Sequence, residues 1–443
     1  MKFLKSLYIH KQFYYYIGLA SLCFLVSYWV PVFFTVACIV VLILVVLFIL
    51  DLSLLYGKTD RFKARRLLPD KFSNSDPNPV PISLINRYGF KTHVDVIDEL
   101  PKQFQKRDFS YQVNIAPQQY HDFQYLVRPV DRGEYVFGHL NVYVSSPLKM
   151  VKRKYQYQKD QMVMVYPSII QMQKYDFLAI SNHLTEFGFK KIRRIGHTSE
   201  FEQIKEYVKG DDFRTVNWKA TAKVGQLMVN QYQDEKSQPI YSIIDTGRVM
   251  KMPFNELKLL DYAINSALAF SNVALKKHDK VGLLSFSKQI ETFLPAVNKI
   301  TYLNKILETL YNIDTQFSEA DFGLLYAQLK RKVTQRSFLF LYTNFEHISA
   351  LKRQLPYLQA ISKKHMLVVI LFKNTELDTL IETNAEDLQT IYHKTIAEKF
   401  AFEKRLMVKE LQKYGIQCIL TAPEDLTINT INKYLEIKAR GLL

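Results

Sequence analysis

Pro239-Ile240-Tyr241-Ser242-Ile243-Ile244-Asp245-Thr246 is a nearly unbroken apolar run that ends in a carboxylate. Residues Pro253 to His278 follow it with apolar side chains at helical spacing. The same alternation then repeats to the end of the chain. Apolar runs at 280–287, 336–344, 366–372 and 416–422 are separated by amphipathic stretches at 298–313, 318–333, 348–364, about 386–414 and 424–440. Strands that are apolar on both faces, alternating with helices, specify a parallel sheet covered on each side. The expectation is a doubly wound α/β domain over residues 237–443.

Upstream the rhythm is different. Short runs such as Pro79–Gly89, Thr92–Leu100, Tyr111–Pro117, Phe123–Val130, Gly133–Leu148 and Gln161–Ile169 alternate with period two and are rich in Tyr, Phe and Val. Turn residues separate them, so an antiparallel β-sandwich is predicted over 79–170. Residues 171–236 read as a polar connector, and 58–78 as a basic linker ending in turn-forming Asn, Asp and Pro.

The N-terminus is apolar in another way. No charged residue occurs from Phe13 to Leu50, roughly twice the ~20 residues that one membrane-crossing helix needs. Pro31 suits a turn better than a helix interior, so residues 1–57 read as a transmembrane hairpin with helices at about 13–30 and 32–54. A cleaved signal peptide would be shorter and followed by small residues. Lys2, Lys5 and Lys11 precede the hairpin, and Lys58, Arg61, Lys63, Arg65 and Arg66 follow it. Basic flanks favour the cytoplasmic side, which predicts both termini there.

The chain carries 59 Lys and Arg against 42 Asp and Glu, a net charge of +17. The juxtamembrane cluster accounts for part of this and matches anionic headgroups of a lipid bilayer. The rest is dispersed except at Lys149–Lys154 and Lys190–Arg194, so nucleic acid is not an expected partner. Binding of an anionic polymer at Lys190–Arg194 is the minor alternative. Of the three cysteines, Cys23 and Cys38 lie in the hairpin and Cys418 in an apolar strand. No CxxC exists, which excludes a zinc ribbon.

Ligands of open α/β sheets gather at the carboxyl ends of strands, where Asp245-Thr246-Gly247-Arg248-Val249 stands. A haloacid-type phosphatase needs a second Asp at the Gly247 position. The metal-ion-dependent adhesion site of von Willebrand A domains has Asp-x-Ser-x-Ser here, whereas Gly247 and Val249 have no side-chain oxygen for magnesium. Asn344 stands where that site has an Asp, and Asp321 is a residual oxygen ligand at a helix start. The candidate set Asp245, Asp321 and Asn344 is therefore degenerate. The plainer role for Asp245 is to cap a helix or bind nearby amides. No cofactor is expected. Gly57-Lys58-Thr59 lacks the upstream glycine and strand of a phosphate-binding loop. The sequence contains no HExxH, clustered histidines or Ser/His/Asp order, and the expectation is that the chain is not an enzyme.

The densest local pattern is Tyr207-Val208-Lys209-Gly210-Asp211-Asp212-Phe213-Arg214-Thr215-Val216-Asn217-Trp218-Lys219. Gly210 suits the end of one short helix and Asp211 the cap of the next. Arg214 and Trp218 are spaced for a guanidinium on an indole. Two readings stand: a buried polar latch between the domains, which the residue chemistry favours, and a docking surface for a partner.

This run, continuing through Ala220-Thr221-Ala222, resembles the signature of the bacterial domain-of-unknown-function 58 family. Arg132-Gly133-x-Tyr135-x-Phe137-Gly138, Ser146-Pro147-Leu148 and Val165-Tyr166-Pro167 resemble that family's β-domain. The resemblance implies a protein of the bacterial inner membrane with a von Willebrand A-like domain, often encoded beside MoxR-type AAA+ ATPases. It implies a membrane-tethered, cytoplasm-facing adaptor or scaffold whose partners are such an ATPase and other von Willebrand A-domain proteins. The alternative is a divalent-metal-dependent phosphohydrolase that uses Asp245.

Overall fold

The computed structural model describes residues 2–57, 61–106, 109–180, 200–209, 211, 213–233, 239–382 and 387–440. The chain divides into two units, Met1–Tyr166 and Pro167–Leu443.

The first unit opens with α1 (Lys2–Ser6), β1 (Leu7–Ile9), α2 (Lys11–Val26) and α3 (Val32–Tyr56). Among the described residues, α3 is the helix long and apolar enough to cross a membrane, and only 6% of its most apolar window is buried. At 16 residues, α2 is shorter than the expected 13–30 helix. At 1.5 Å per residue it spans about 24 Å, below the ~30 Å of a bilayer core. The two helices touch through Phe13 and Phe48, whose ring centroids are 5.3 Å apart.

The strands that follow are β2 (Phe62–Arg66), β3 (Lys71–Ser73), β4 (Asn78–Asn86), β5 (Thr92–Asp98), β6 (Tyr111–Ile115), β7 (Tyr120–Val127), β8 (Gly133–Phe137), β9 (Leu140–Ser145), β10 (Val151–Tyr157) and β11 (Gln161–Tyr166). They form sheets ordered β1-β10-β9-β5-β6, β2-β4-β7 and β3-β11-β8. All pairings are antiparallel except β3 with β11. Phe62, Ile82 and Leu84 from one sheet share a core with Val94, Val96, Val142 and Val144 from another. Phe72, Val80, Tyr135, Phe137 and Val165 build a second core.

β2 and β3 correct the expectation of a linker over 58–78. Along β2, Phe62, Ala64 and Arg66 are buried while Arg65 is exposed. Basic composition hid this alternation. Buried Arg66 donates to Asp98, to Gln161 Oε1 at 3.0 Å and to the Gly138 carbonyl at 3.1 Å, with its guanidinium over the Phe137 ring. It therefore serves the sheet core and not lipid headgroups.

The second unit begins with α4 (Ile169–Ile180), β12 (Glu200–Glu206), α5 (Trp218–Val224) and β13 (Met228–Gln233). β12 and β13 pair antiparallel, so the polar connector has structure of its own. Then come β14 (Pro239–Asp245), β15 (Pro253–Phe254), β16 (Leu257–Lys258), α6 (Leu259–Lys276), β17 (Lys280–Phe286), β18 (Ile290–Val297), α7 (Tyr302–Tyr311), α8 (Phe322–Lys332), β19 (Phe338–Tyr342), α9 (Ile348–Lys364), β20 (Met366–Phe372), α10 (Thr375–Glu382), α11 (Leu388–Lys413), β21 (Gln417–Thr421) and α12 (Leu426–Ala439). The main sheet has the order β18-β17-β14-β19-β20-β21. β14, β17, β19, β20 and β21 run parallel, and β18 returns antiparallel to β17. One core packs α6, α7 and α12 on the sheet through Ile264, Phe270, Ile306 and Tyr434. The other packs α8, α9 and α11 through Phe322, Leu325, Leu358 and Met407. Helices thus cover both sheet faces, as apolar strands require.

Candidate functional site

β14 delivers Asp245 to the carboxyl edge of the sheet, between β17 and β19. The residue is 1% exposed. Its Oδ1 accepts the Gly247 backbone N–H at 2.8 Å, and its Oδ2 accepts the Thr343 hydroxyl at 2.7 Å. Burial pushes its carboxyl up to about 6 even though both donors pull it down. Of the two plainer roles, it fills that of binding a nearby amide.

A Cβ on Gly247 would lie 2.9 Å from Asp245 Oδ1 and 3.1 Å from the Ser318 carbonyl oxygen. Any side chain there, including a metal-binding serine, would have to displace backbone. Val249 packs against the core. Asp321 caps α8 by accepting the Leu324 N–H at 2.9 Å. Asn344 Oδ1 accepts from the Lys404 ammonium at 2.5 Å, which also reaches the Phe345 carbonyl at 2.6 Å. Burial lowers the Lys404 amine to about 8. Asp245, Asp321 and Asn344 are each held by the protein's own donors, and two of the hydroxyl positions have no oxygen. This donor set does not fit a divalent cation.

Lys404 and Thr343 were not singled out from sequence. Lys404 lies 60 residues beyond Asn344, on an amphipathic helix where a lysine ordinarily faces water.

The signature segment folds around the β12–β13 pair. Tyr207 N–H bonds to the Leu227 carbonyl at 2.8 Å. Asp211 ties back to the Val208 N–H at 3.0 Å and to Lys205 Nζ at 2.9 Å. Gly210 lies outside the described residues, as does the Lys190–Arg194 cluster. Asn217 is the N-cap of α5: it accepts the Ala220 N–H at 3.0 Å and donates to Asn230 Oδ1 at 2.8 Å. Gly225, at φ 78°, ends the helix.

Here one expectation is corrected. Arg214 belongs to a separate turn, Phe213–Thr215, and α5 starts only at Trp218, so the four-residue spacing is not helical. The indole instead meets Phe213 edge-on at 5.9 Å between centroids. Phe213 is 59% and Trp218 63% exposed, and Arg214 and Lys219 are exposed too.

Residues 203–394 match the family described as "Protein of unknown function DUF58". This stretch takes in the signature from Tyr207 to Lys219, Asp245 and Asn344. A curated relative, "Uncharacterized protein YeaD" of Bacillus subtilis, is 23% identical over 171 residues, 38% of this chain. The chain spans 40% of that relative's length. Among solved structures, the conserved hypothetical protein BatB of Bacteroides thetaiotaomicron aligns with 46% of this chain and 99% of its own, at 14% identity and a TM-score of 0.31. The CARDB domain of the PF1109 protein of Pyrococcus furiosus, in complex with di-metal ions, aligns with 24% of this chain and 91% of its own, at 15% identity and a TM-score of 0.18. Scores this low carry no argument about fold or function.

Proposed function

We propose that the chain is a membrane-tethered, cytoplasm-facing adaptor that binds a protein partner, a MoxR-type AAA+ ATPase, through its von Willebrand A-like α/β unit. The signature segment is its principal contact, and other von Willebrand A-domain proteins are further partners. The observation that carries this reading is the exposed Phe213–Trp218 pair. In the same stretch of chain Val208 and Val224 are also exposed, at 63% and 56%. Aromatic side chains left in water on a well-capped scaffold are what partner-binding surfaces use, and Trp is enriched among binding hot spots.

On this reading α2 and α3 enter the bacterial inner membrane as a two-helix hairpin with both termini in the cytoplasm. The outward apolar residues of α3, among them Phe34, Ile39, Leu42 and Leu50, are exposed in the protein and have lipid as their solvent. The pairing of β1 with β10 supports a hairpin, because it keeps the chain ahead of α2 on the sheet that also touches the end of α3. Tethering raises the local concentration of the docking surface near the membrane. A hydrolase role for Asp245 has less support: both carboxylate oxygens are engaged and the side chain is buried.

The test is affinity purification of the full chain from native membranes, beside a Phe213→Ala/Trp218→Ala double variant. The wild type should bring down the ATPase, and the variant at least about fivefold less, as loss of a hot spot implies. Equal recovery by both proteins, or no ATPase with the wild type, would end the proposal.

A further inference from the structure

A cavity of about 760 Å³ opens in the second unit at the carboxyl ends of β19, β20 and β21. Its walls are mainly apolar and include Phe254, Leu259, Phe372, Leu377, Phe400 and Leu420. Its size falls in the ordinary range for small-molecule sites, about 300–1,000 Å³, and the carboxyl edge of an α/β sheet is where such sites form.

Lys404 lines this cavity from α11. Two of its three N–H donors are used, by Asn344 Oδ1 and the Phe345 carbonyl. Both acceptors are neutral, and among the described residues no carboxylate forms an ion pair with the ammonium. A half-buried ammonium with no carboxylate in direct contact gains from a closer counter-ion. The other lining cations are differently placed: Lys373 pairs with Asp378 at 2.6 Å, and Arg405 adds a positive charge to the lining. An apolar chamber with a half-buried ammonium that makes no direct ion pair among the described residues selects a ligand that is apolar over most of its length and anionic at one end.

We propose that this cavity binds an amphiphilic monocarboxylate of the fatty-acid class, its carboxylate on Lys404 and its alkyl chain against Phe254, Phe372 and Phe400. The site is distinct from the Phe213–Trp218 surface and does not depend on the adaptor reading.

Besides burial, Glu346 after β19 and Cys418 on β21 act on the charge of the amine, and His347 after β19, Lys373 and Asp378 after β20 and Arg405 on its own helix share the cavity lining. Glu346 raises the amine while burial lowers it more, to about 8. A bound carboxylate raises it again. Carboxylate binding is therefore strongest with the amine protonated and weakens as pH rises above about 8. A neutral ligand has no such dependence.

The experiment uses the full chain in lipid nanodiscs and measures binding of decanoate and of 1-decanol against empty nanodiscs. Decanoate should bind saturably. Lys404→Met should weaken decanoate about tenfold or more, the range for a lost charged hydrogen bond, and change 1-decanol by less than about twofold. Lys404→Arg should retain decanoate, and raising the pH from 7 to 10 should weaken decanoate alone. Leu377→Trp, which fills the cavity, should abolish both. No saturable decanoate binding, an equal loss of acid and alcohol in Lys404→Met, or pH-independent decanoate binding by the wild type would each overturn the assignment. The pH series on the wild type decides the matter even if the methionine variant fails to fold.

Discussion

Asp245 shows how a residue placed for chemistry can be committed to structure. Burial holds its carboxyl near 6, against an ordinary value of 3.8. The folded protein therefore keeps this proton at a pH where the unfolded chain has released it. The stability this group contributes is full below about pH 4 and is lost as pH rises through about 6, at most about 3 kcal/mol from a two-unit shift. Asp245→Asn, uncharged at any pH, should lack this slope. Its stability relative to the wild type should improve between pH 4 and 7 in paired denaturant titrations, and parallel curves would show that the carboxylate is not desolvated as described. Gly247→Ser tests the neighbouring position. With only 2.9 Å between a new Cβ and Asp245 Oδ1, the substitution should lower Tm by several degrees and gain no magnesium-dependent stabilisation. A magnesium-dependent rise in its Tm would mean that the loop can reopen into an adhesion-type cation site. Asp245 was legible as a strand-end carboxylate because apolar runs mark their own ends. Its partner Thr343 lies 98 residues away, a proximity no local pattern encodes.

At the scale of elements, legibility followed how locally each element's burial is written. β14, β17, β19 and β20 are buried on both faces and read directly as apolar runs. β18 did not, because an edge strand is half-exposed and carries Pro295, tolerated there but not in a central strand. β2 was hidden behind its basic residues, since the Asp98 that accepts Arg66 lies on another sheet. Removing that arginine leaves the Asp98 carboxylate buried with, among the described residues, the Tyr125 hydroxyl at 2.6 Å as its remaining side-chain donor. Arg66→Met should therefore destabilise the first unit by about 3–5 kcal/mol, the range for breaking one side of a buried ion pair, read as a lowered urea midpoint. The end of α3 is fastened in a comparable way. Asp51 is buried, and its Oδ2 accepts the N–H groups of Met150 and Val151, each at 2.9 Å. Asp51→Ala would leave two strand N–H groups without an acceptor, a loss of about 2 kcal/mol or more. It should loosen α3 from β10, measured as faster proteolysis of the detergent-solubilised protein between the helix and the strands. Unchanged cleavage would show that apolar contacts alone hold the helix.

Across the whole molecule, sidedness rests on both ends of the α2–α3 segment meeting one sheet. Leu7–Ile9 pairs with Val151–Arg153 ahead of the helices, and Asp51 and Leu55 reach the same β10 behind them, Leu55 through its carbonyl to Arg153. With both ends held on one sheet and only five residues between α2 and α3, the two helices either both cross the bilayer or neither does. A double crossing returns the chain to where it began. In either case α1, β1 and the strands they join share one face, which on the proposed reading is the cytoplasmic one, the side basic flanks favour. Lys330 on α8 is exposed and lies in the second unit, far along the chain from every apolar helix. With Cys23, Cys38 and Cys418 replaced by serine, a Lys330→Cys variant should resist a membrane-impermeant maleimide in intact cells and react fully in inside-out vesicles. A second cysteine at Tyr28, 86% exposed between α2 and α3, separates the two crossings. Labelling of Tyr28→Cys from outside intact cells requires the hairpin to span the bilayer, while labelling only in inside-out vesicles would mean that neither helix crosses and would end the two-helix reading.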